Sequence, residues 1–217
     1  MAYVLTYSSL VAAIEAYLQR TDTTFEVNIP LFILLGERRV ARDLKILGLK
    51  QFITGDLQAN QPLLGKPARW LNTSAFNIGI APNVTPLQSG NYRLQILQRS
   101  YEYCLIYWPD ATQLGQPKYY CDKQFQNWMI VPTPAFAYPY EIAYYEIPNL
   151  IDDTVSTNWI TSNAPDIILY ATLLETASYL KDDERIKVWE DYYNKAKGSL
   201  SEEDMRRIYD GFSKRGG

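Results

Sequence analysis

The stretch from Asn163 to Lys197, NAPDIILYATLLETASYLKDDERIKVWEDYYNKAK, constrains the fold more than any other part of the chain. It reads as a helical hairpin. Asn163 suits an N-cap, and Pro165 fits the first helical turn, where no backbone donor is needed. Asp166 puts negative charge at the positive end of the helix. Up to about Leu180 only Asp166 and Glu175 are charged, while Ile167, Ile168, Leu169, Leu173, Leu174 and Leu180 spread round the circumference. A helix that is apolar all round has to be covered on more than one side. Lys181-Asp182-Asp183 forms a polar turn, and Asp182 or Asp183 can cap the next helix. There Ile186, Trp189, Tyr193, Ala196 and Leu200 recur at steps of three and four. That is one narrow seam, suited to a single partner helix, with Asp183–Lys187 and Asp191–Lys195 supporting the outer face.

The N-terminal region predicts a second helical pair. Thr6 to Arg20 carries Leu10, Ile14, Tyr17 and Leu18 on one face, with Ser8 as a cap, and Thr21 to Thr24 forms a polar turn. Pro30 opens a helix to about Leu49, apolar first and then basic through Arg38, Arg39, Arg42 and Lys45. Such a cluster either touches phosphate, faces solvent or pairs with acids of a neighbouring element. From Gln51 to Asn158 turn formers and aromatics replace helical periodicity. Strands are expected over 69–76, 92–97, 118–122, 127–131 and 138–146, and Ser100 caps a short helix that Pro109 stops. The fold class is therefore α+β: a helical bundle formed by both chain ends, with an inserted, mostly antiparallel β domain. The expected division is 1–50 plus 159–198 for the bundle, 51–158 for the insert and 199–217 for a C-terminal segment. Gly36 and Gly198 interrupt otherwise helical patterns.

The chain has no histidine. Ser-His-Asp and Cys-His machinery and imidazole metal ligation are thereby excluded. No phosphate loop, dinucleotide fingerprint, nucleophile elbow or calcium loop is present, so neither cofactor nor metal is expected. Asp152-Asp153, Asp182-Asp183-Glu184 and Glu202-Glu203-Asp204 read as caps or solvated charge. Cys104 and Cys121 lack CxxC spacing and read as small buried hydrophobes of a reducing compartment. MAYVLTYSSL lacks the basic region and apolar core of a signal peptide, and no apolar run is long enough to span a membrane. A net charge of −3 gives no global basic field to draw the chain to nucleic acid. The 18 tyrosines and 5 tryptophans suit surfaces buried against partners.

Taken in order, several segments resemble a known family: YLQRTDTTF, the run from Pro30 to Leu44, KPARWL at 66–71, RSYEY at 99–103, YWPD at 107–110, GQPKYYCD at 115–122, NWMIVPTPAFAYPYEIAYYE at 127–146 and TNWITSNAPDIILYATLLETASYLKDDERIKVWEDYY at 157–193. Together they resemble the head-to-tail adaptor (connector) proteins of tailed bacteriophages, similar to the tail tubular A proteins of short-tailed phages. The resemblance implies a structural virion protein at the head–tail junction, made in the host bacterial cytoplasm. It implies a dodecameric ring between the portal ring and the tail tube or nozzle, surrounding the DNA exit channel, with no catalysis. Duplex DNA would pass without specific binding, and no membrane is involved. Bundle and subunit packing is expected of Leu34, Leu44, Ile168, Leu174, Trp189 and Tyr193, because the all-round apolar helix needs more cover than one subunit supplies. Portal docking is expected of the C-terminal segment, through Met205, Ile208, Tyr209 and Phe212 with Arg206 and Arg207 on the rim. That segment would be a short helix, marginal until a partner orders it. The competing classes are a tail-associated carboxylate-dependent cell-wall hydrolase and a carbohydrate-binding module that stacks sugars on Trp or Tyr.

Overall fold

The computed structural model describes residues 4–80, 92–180 and 183–213, with the backbone course alone for 183 and 209–213. The chain divides into two compact units, one made of the residues up to Leu49 and from Ile147 onward, the other of Lys50–Glu146. The first contains α1 (Tyr7–Leu18), α2 (Thr23–Glu26), α3 (Ile29–Asp43), a 3-10 turn (Leu47–Leu49), α5 (Trp159–Asn163), α6 (Pro165–Leu180) and α7 (Asp183–Ser213). The second contains β1 (Lys50–Asp56), β2 (Leu63–Gly65), β3 (Trp70–Gly79), β4 (Arg93–Gln98), α4 (Tyr101–Tyr107), β5 (Leu114–Gly115), β6 (Tyr119–Gln124), β7 (Asn127–Val131), β8 (Thr133–Pro134) and β9 (Pro139–Glu146). The fold is α+β, with helices from both chain ends and a central, mostly antiparallel sheet.

Capping side chains set the helix starts. Thr6, and not Ser8, caps α1 in a reciprocal box with Ser9, Asp22 caps α2, and Ser100 caps α4. Pro165 opens α6 as its spacing predicts, but Asn163 ends the preceding α5, its amide donating to the Trp159 carbonyl at 2.9 Å. The Pro30 helix is shorter than expected: α3 stops at Asp43, where Leu44 turns extended, and a 3-10 turn follows.

In the helical unit α6 is the hub. Ile167, Ile168, Ala171, Leu173, Leu174 and Ala177 are buried. Thr172 and Thr176 are buried as well, with their hydroxyls donating to the carbonyls one turn back at 2.8 and 2.7 Å. The expectation that this helix needs cover from a second subunit is therefore corrected. α1, α3, α5 and α7 of the same chain pack on it. Gly36 makes the α3 crossing possible, since a Cβ there would stand 2.8 Å from the Thr172 hydroxyl oxygen and 3.0 Å from its backbone nitrogen.

In the β unit the strand order is β1-β9-β3-β4-β6-β7-β2, antiparallel except between β4 and β6, while β5 and β8 form a separate parallel pair. Trp128, fully buried, and Phe76 centre the core. The indole N–H groups of Trp70 and Trp128 both donate to the Thr73 hydroxyl at 3.1 Å. Lys66 lays its ammonium 3.6 Å from the centre of the Trp70 ring and pairs with Asp122. The KPARWL motif is thus a packing device: a buried cation held by an aromatic face and a carboxylate. β1 has no counterpart in the sequence expectation. Its pattern is irregular and Phe52 is 64% exposed, so it is specified by its pairing with β9 along the whole length from Lys50↔Tyr145 to Asp56↔Pro139.

The two helical glycines carry opposite expectations. Gly36→Ala forces α3 off α6 and should lower stability by about 1–3 kcal/mol, the usual cost of overpacking. Around Gly198 an added Cβ meets nothing within 4 Å. Gly198→Ala should raise stability by up to about 1 kcal/mol through helix propensity. Urea unfolding of both variants checks the pair.

Candidate functional site

The C-terminal segment is not separated from the hairpin by Gly198. α7 runs unbroken for 31 residues. Its seam continues beyond Leu200 to Asp204, which is only 7% exposed. Both Asp204 carboxylate oxygens accept the Leu47 N–H, at 3.2 and 3.3 Å. Leu47 opens the 3-10 turn, so Asp204 supplies a backbone acceptor that the local chain lacks. Reading Glu202-Glu203-Asp204 as a helix start missed this. The available signal was the step of four from Leu200, which puts Asp204 on the buried seam.

On the outer surface of the same turns Met205 and Ile208 are 51% and 43% exposed. Arg206 and Arg207 pair with Glu202 and Glu203 one turn earlier, as the spacing predicts. The side chains of Tyr209 and Phe212, together with Asp182, Lys214 and Arg215, lie outside the described residues.

Of the expected packing residues, Leu44, Ile168, Leu174 and Tyr193 are buried inside the chain's own helical unit. The Tyr193 hydroxyl donates to Asp43 at 3.0 Å, and Lys197 reaches the same oxygen at 3.5 Å. Burial and the Asp43 carboxylate push the Tyr193 phenol far up. Leu34 lies on the outer face of α3, 36% exposed, beside Leu31 and Leu35, outside the core of the chain's own helical unit. That face points away from the α6 crossing at Gly36, which is why it finds no cover. Trp189 is half-buried among Tyr17, Tyr170 and Tyr192, and its indole N–H is buried with no acceptor among the described residues. Leu35, Arg38, Arg39, Arg42, Asp43 and Glu175 line an open groove of about 360 Å³. Arg39 is neutralised there by Glu175 of α6 at 2.6 Å, so the basic cluster is in part an ion pair with a neighbour.

A second buried carboxylate was also missed. Glu37 of α3 is 1% exposed. It accepts the Ile151 N–H at 3.2 Å and the Asn158 amide at 2.8 Å. The segment after β9 is thereby fixed to α3, and the helical unit begins at Ile147 where the sequence suggested 159. Burial pushes the Glu37 carboxyl up to about 7, against the Ile151 and Asn158 donors and the Arg38 charge.

Asp152 caps its own turn, accepting from the Thr154 N–H and the Val155 N–H, each at 2.7 Å. Among the described residues no group of three or more His, Cys, Asp or Glu side chains could hold a metal ion, and no helix is long and apolar enough to cross a membrane. Two of the tryptophans are engaged in packing: Trp128 is fully buried, and Trp108 packs against Tyr107 and Tyr119.

The architecture is a discontinuous helical unit built from both chain ends with an inserted, mostly antiparallel sheet. The chain belongs to the SU10 adaptor protein family, which matches residues 5–214. It is accordingly a structural head-to-tail adaptor of a tailed bacteriophage, located at the head–tail junction and associated with portal and tail. No curated protein matches the chain.

Two measurements test the buried carboxylates. Asp204→Ala strands the Leu47 N–H and should cost about 1–3 kcal/mol; hydrogen exchange should rise at Leu47–Leu49 and in the last turns of α7. Glu37, with its folded pKa above that of the unfolded chain, binds more protons folded than unfolded between about 4.5 and 7. Its contribution is fully present below that window and is lost as pH rises through it, by on the order of 3 kcal/mol at most. Chemical denaturation of wild type and Glu37→Gln across this range should show the slope in the first and a flatter profile in the second.

Proposed function

We propose that the adaptor assembles as a ring, dodecameric in the virion, between the portal ring and the tail tube or nozzle, with the DNA exit channel through its centre. The portal is met by the last turns of α7. The observation that carries this reading is the pairing of two exposed apolar side chains, Met205 and Ile208, with a helix already formed and tied to the bundle through Asp204. Arg206, Arg207, Tyr209 and Phe212 complete the docking set. Arg206 and Arg207 are held in helix-internal ion pairs and available at the rim. The work of the protein is assembly, with no bond made or broken. With −3 per subunit, DNA slides through the channel without tight phosphate contacts.

Point variants test the docking better than truncation, because deleting residues 199–217 would also remove Asp204. Met205→Asp with Ile208→Asp should leave thermal unfolding within a few degrees of wild type. It should reduce joining to portal-bearing heads by on the order of tenfold or more, as loss of apolar anchors does. Joining counted by electron microscopy and equal to wild type would remove α7 from the portal contact and leave the family assignment in place.

A further inference from the structure

Two faces of the helical unit carry large exposed side chains whose chemistry is complementary. On α3 the spacing puts Leu31, Leu34, Leu35, Arg38 and Arg42 along one side. The three leucines are 49%, 36% and 42% exposed. One to two turns further on, the arginines line the open groove. The surface is thus apolar at one end, and at the other Arg38, Arg39 and Arg42 outnumber the Asp43 and Glu175 carboxylates that share the groove.

The second face is aromatic and comes from three helices. Tyr17 of α1 meets Trp189 of α7 edge-on at 5.8 Å, Trp189 stacks with Tyr170 of α6 at 6.3 Å, and Tyr170 stacks with Tyr192 at 5.4 Å. Tyr17 and Tyr192 are 49% and 45% exposed, and Val188 beside them is 48% exposed. Burial raises the Tyr170 phenol above its ordinary range, and Tyr17 and the nearby Asp166 carboxylate add to it, so an exposed acid stands next to the rings.

We propose that these faces meet between neighbouring copies of the chain: α3 of one copy lays Leu31, Leu34 and Leu35 on the aromatic face of the next, with Arg38 and Arg42 over its rings and beside Asp166. The inference rests on the ring reading above and names the surfaces that build it. The faces differ, so the contact is head-to-tail and repeats from copy to copy, as a closed ring requires. A guanidinium is attracted to the negative face of tyrosine or tryptophan and remains well disposed to a carboxylate at the edge. Leucines exclude water around such anchors, and Trp, Tyr and Arg are the residues that most often carry binding energy at interfaces. A second copy is favoured over another partner because the arginine-bearing face and an aromatic face with Asp166 nearby occur in the same chain, Lys195 already lying over the Tyr192 ring at 6.0 Å and leaving Tyr17 and Trp189 for the guanidinium groups.

The test uses full-length protein on portal-bearing heads. Leu34→Cys and Tyr192→Cys chains are mixed, joined to heads and treated with a bismaleimide. A cross-linked pair of chains is expected from the mixture and not from either variant alone, with wild type as control because Cys104 and Cys121 are buried. In parallel, Arg38→Glu with Arg42→Glu should cut the copies joined per head by on the order of tenfold, and adding Asp166→Arg should restore part of the loss. A cross-link to the portal protein, or normal joining by the charge-reversed chain, would overturn the proposal. If the charge-reversed chain misfolds, the cross-link alone decides: its presence between two adaptor chains supports the contact, and its absence overturns it. Wild-type protein that joins heads only as single copies would remove the ring reading and this inference together; multi-copy joining with no effect of any variant would remove this inference alone.

Discussion

The helical unit depends on one close approach, between Gly36 of α3 and Thr172 of α6. The absent side chain lets two helices from opposite ends of the chain meet backbone to backbone. Arg39 and Glu175 then close the same crossing with an ion pair one turn along. With α3 seated on it, α6 can be apolar on every side without exposing that surface, since the chain's own helices cover it. A single copy is therefore a complete folding unit on this side. On the outside of the helical unit, the exposed apolar side chains include the α3 leucines, Tyr17 and Tyr192, and Met205 and Ile208 near the end of α7. The abundance of tyrosine and tryptophan acquires two meanings from this. Some rings, such as Trp128 and Tyr120, fill the β core, and others stand at the surface of the helical unit.

Legibility in the sequence followed the range of the interaction. α4 was readable because Ser100 caps it and Pro109 follows within a few residues. β7 was readable because Asn127 to Val131 is a short apolar run between turn formers. The helical hairpin was readable from periodicity alone. β1 was not, because nothing within Lys50–Asp56 alternates and its order comes from β9, about 90 residues later in the chain. The returning helix does begin at Trp159, as expected, but that the helical unit already resumes at Ile147 was hidden for the same reason: Ile151 is held by Glu37, far away in sequence. At the candidate docking surface the exposed pair Met205 and Ile208 was legible as an apolar spacing. The anchor Asp204 was legible only in its spacing from Leu200, since an acid next to two other acids reads as solvated charge until its partner is known.

The missed carboxylates share a pattern. Leu47 lies two residues before the helical unit gives way to the sheet, and Ile151 lies a few residues after the chain returns from it. Each of these backbone N–H groups sits where no regular element supplies an acceptor. Each is taken by a carboxylate from a long helix, Asp204 of α7 in the first case and Glu37 of α3 in the second. A backbone donor buried without an acceptor is costly, so irregular chain next to a core needs such side-chain acceptors. The acids that composition alone would assign to the surface are in part the fasteners of the insert's entry and exit.

The same fastening bears on the energetics of the proposed docking by α7. A short terminal helix that ordered only on contact would spend part of its binding free energy on nucleation and on side-chain ordering. In this chain the last turns extend a helix whose earlier turns are already packed on α6, so no new nucleus is required. Asp204 holds those turns from the inner side, while Met205 and Ile208 remain outside. A partner that engages the outer side chains and leaves the Leu47 bond intact meets a surface that is already formed. Pre-formed contacts lose less to ordering than those built on binding. On the proposed reading, the seam residue that looks least suited to burial is the one that would hold the neighbouring apolar pair in place as a pre-formed anchor.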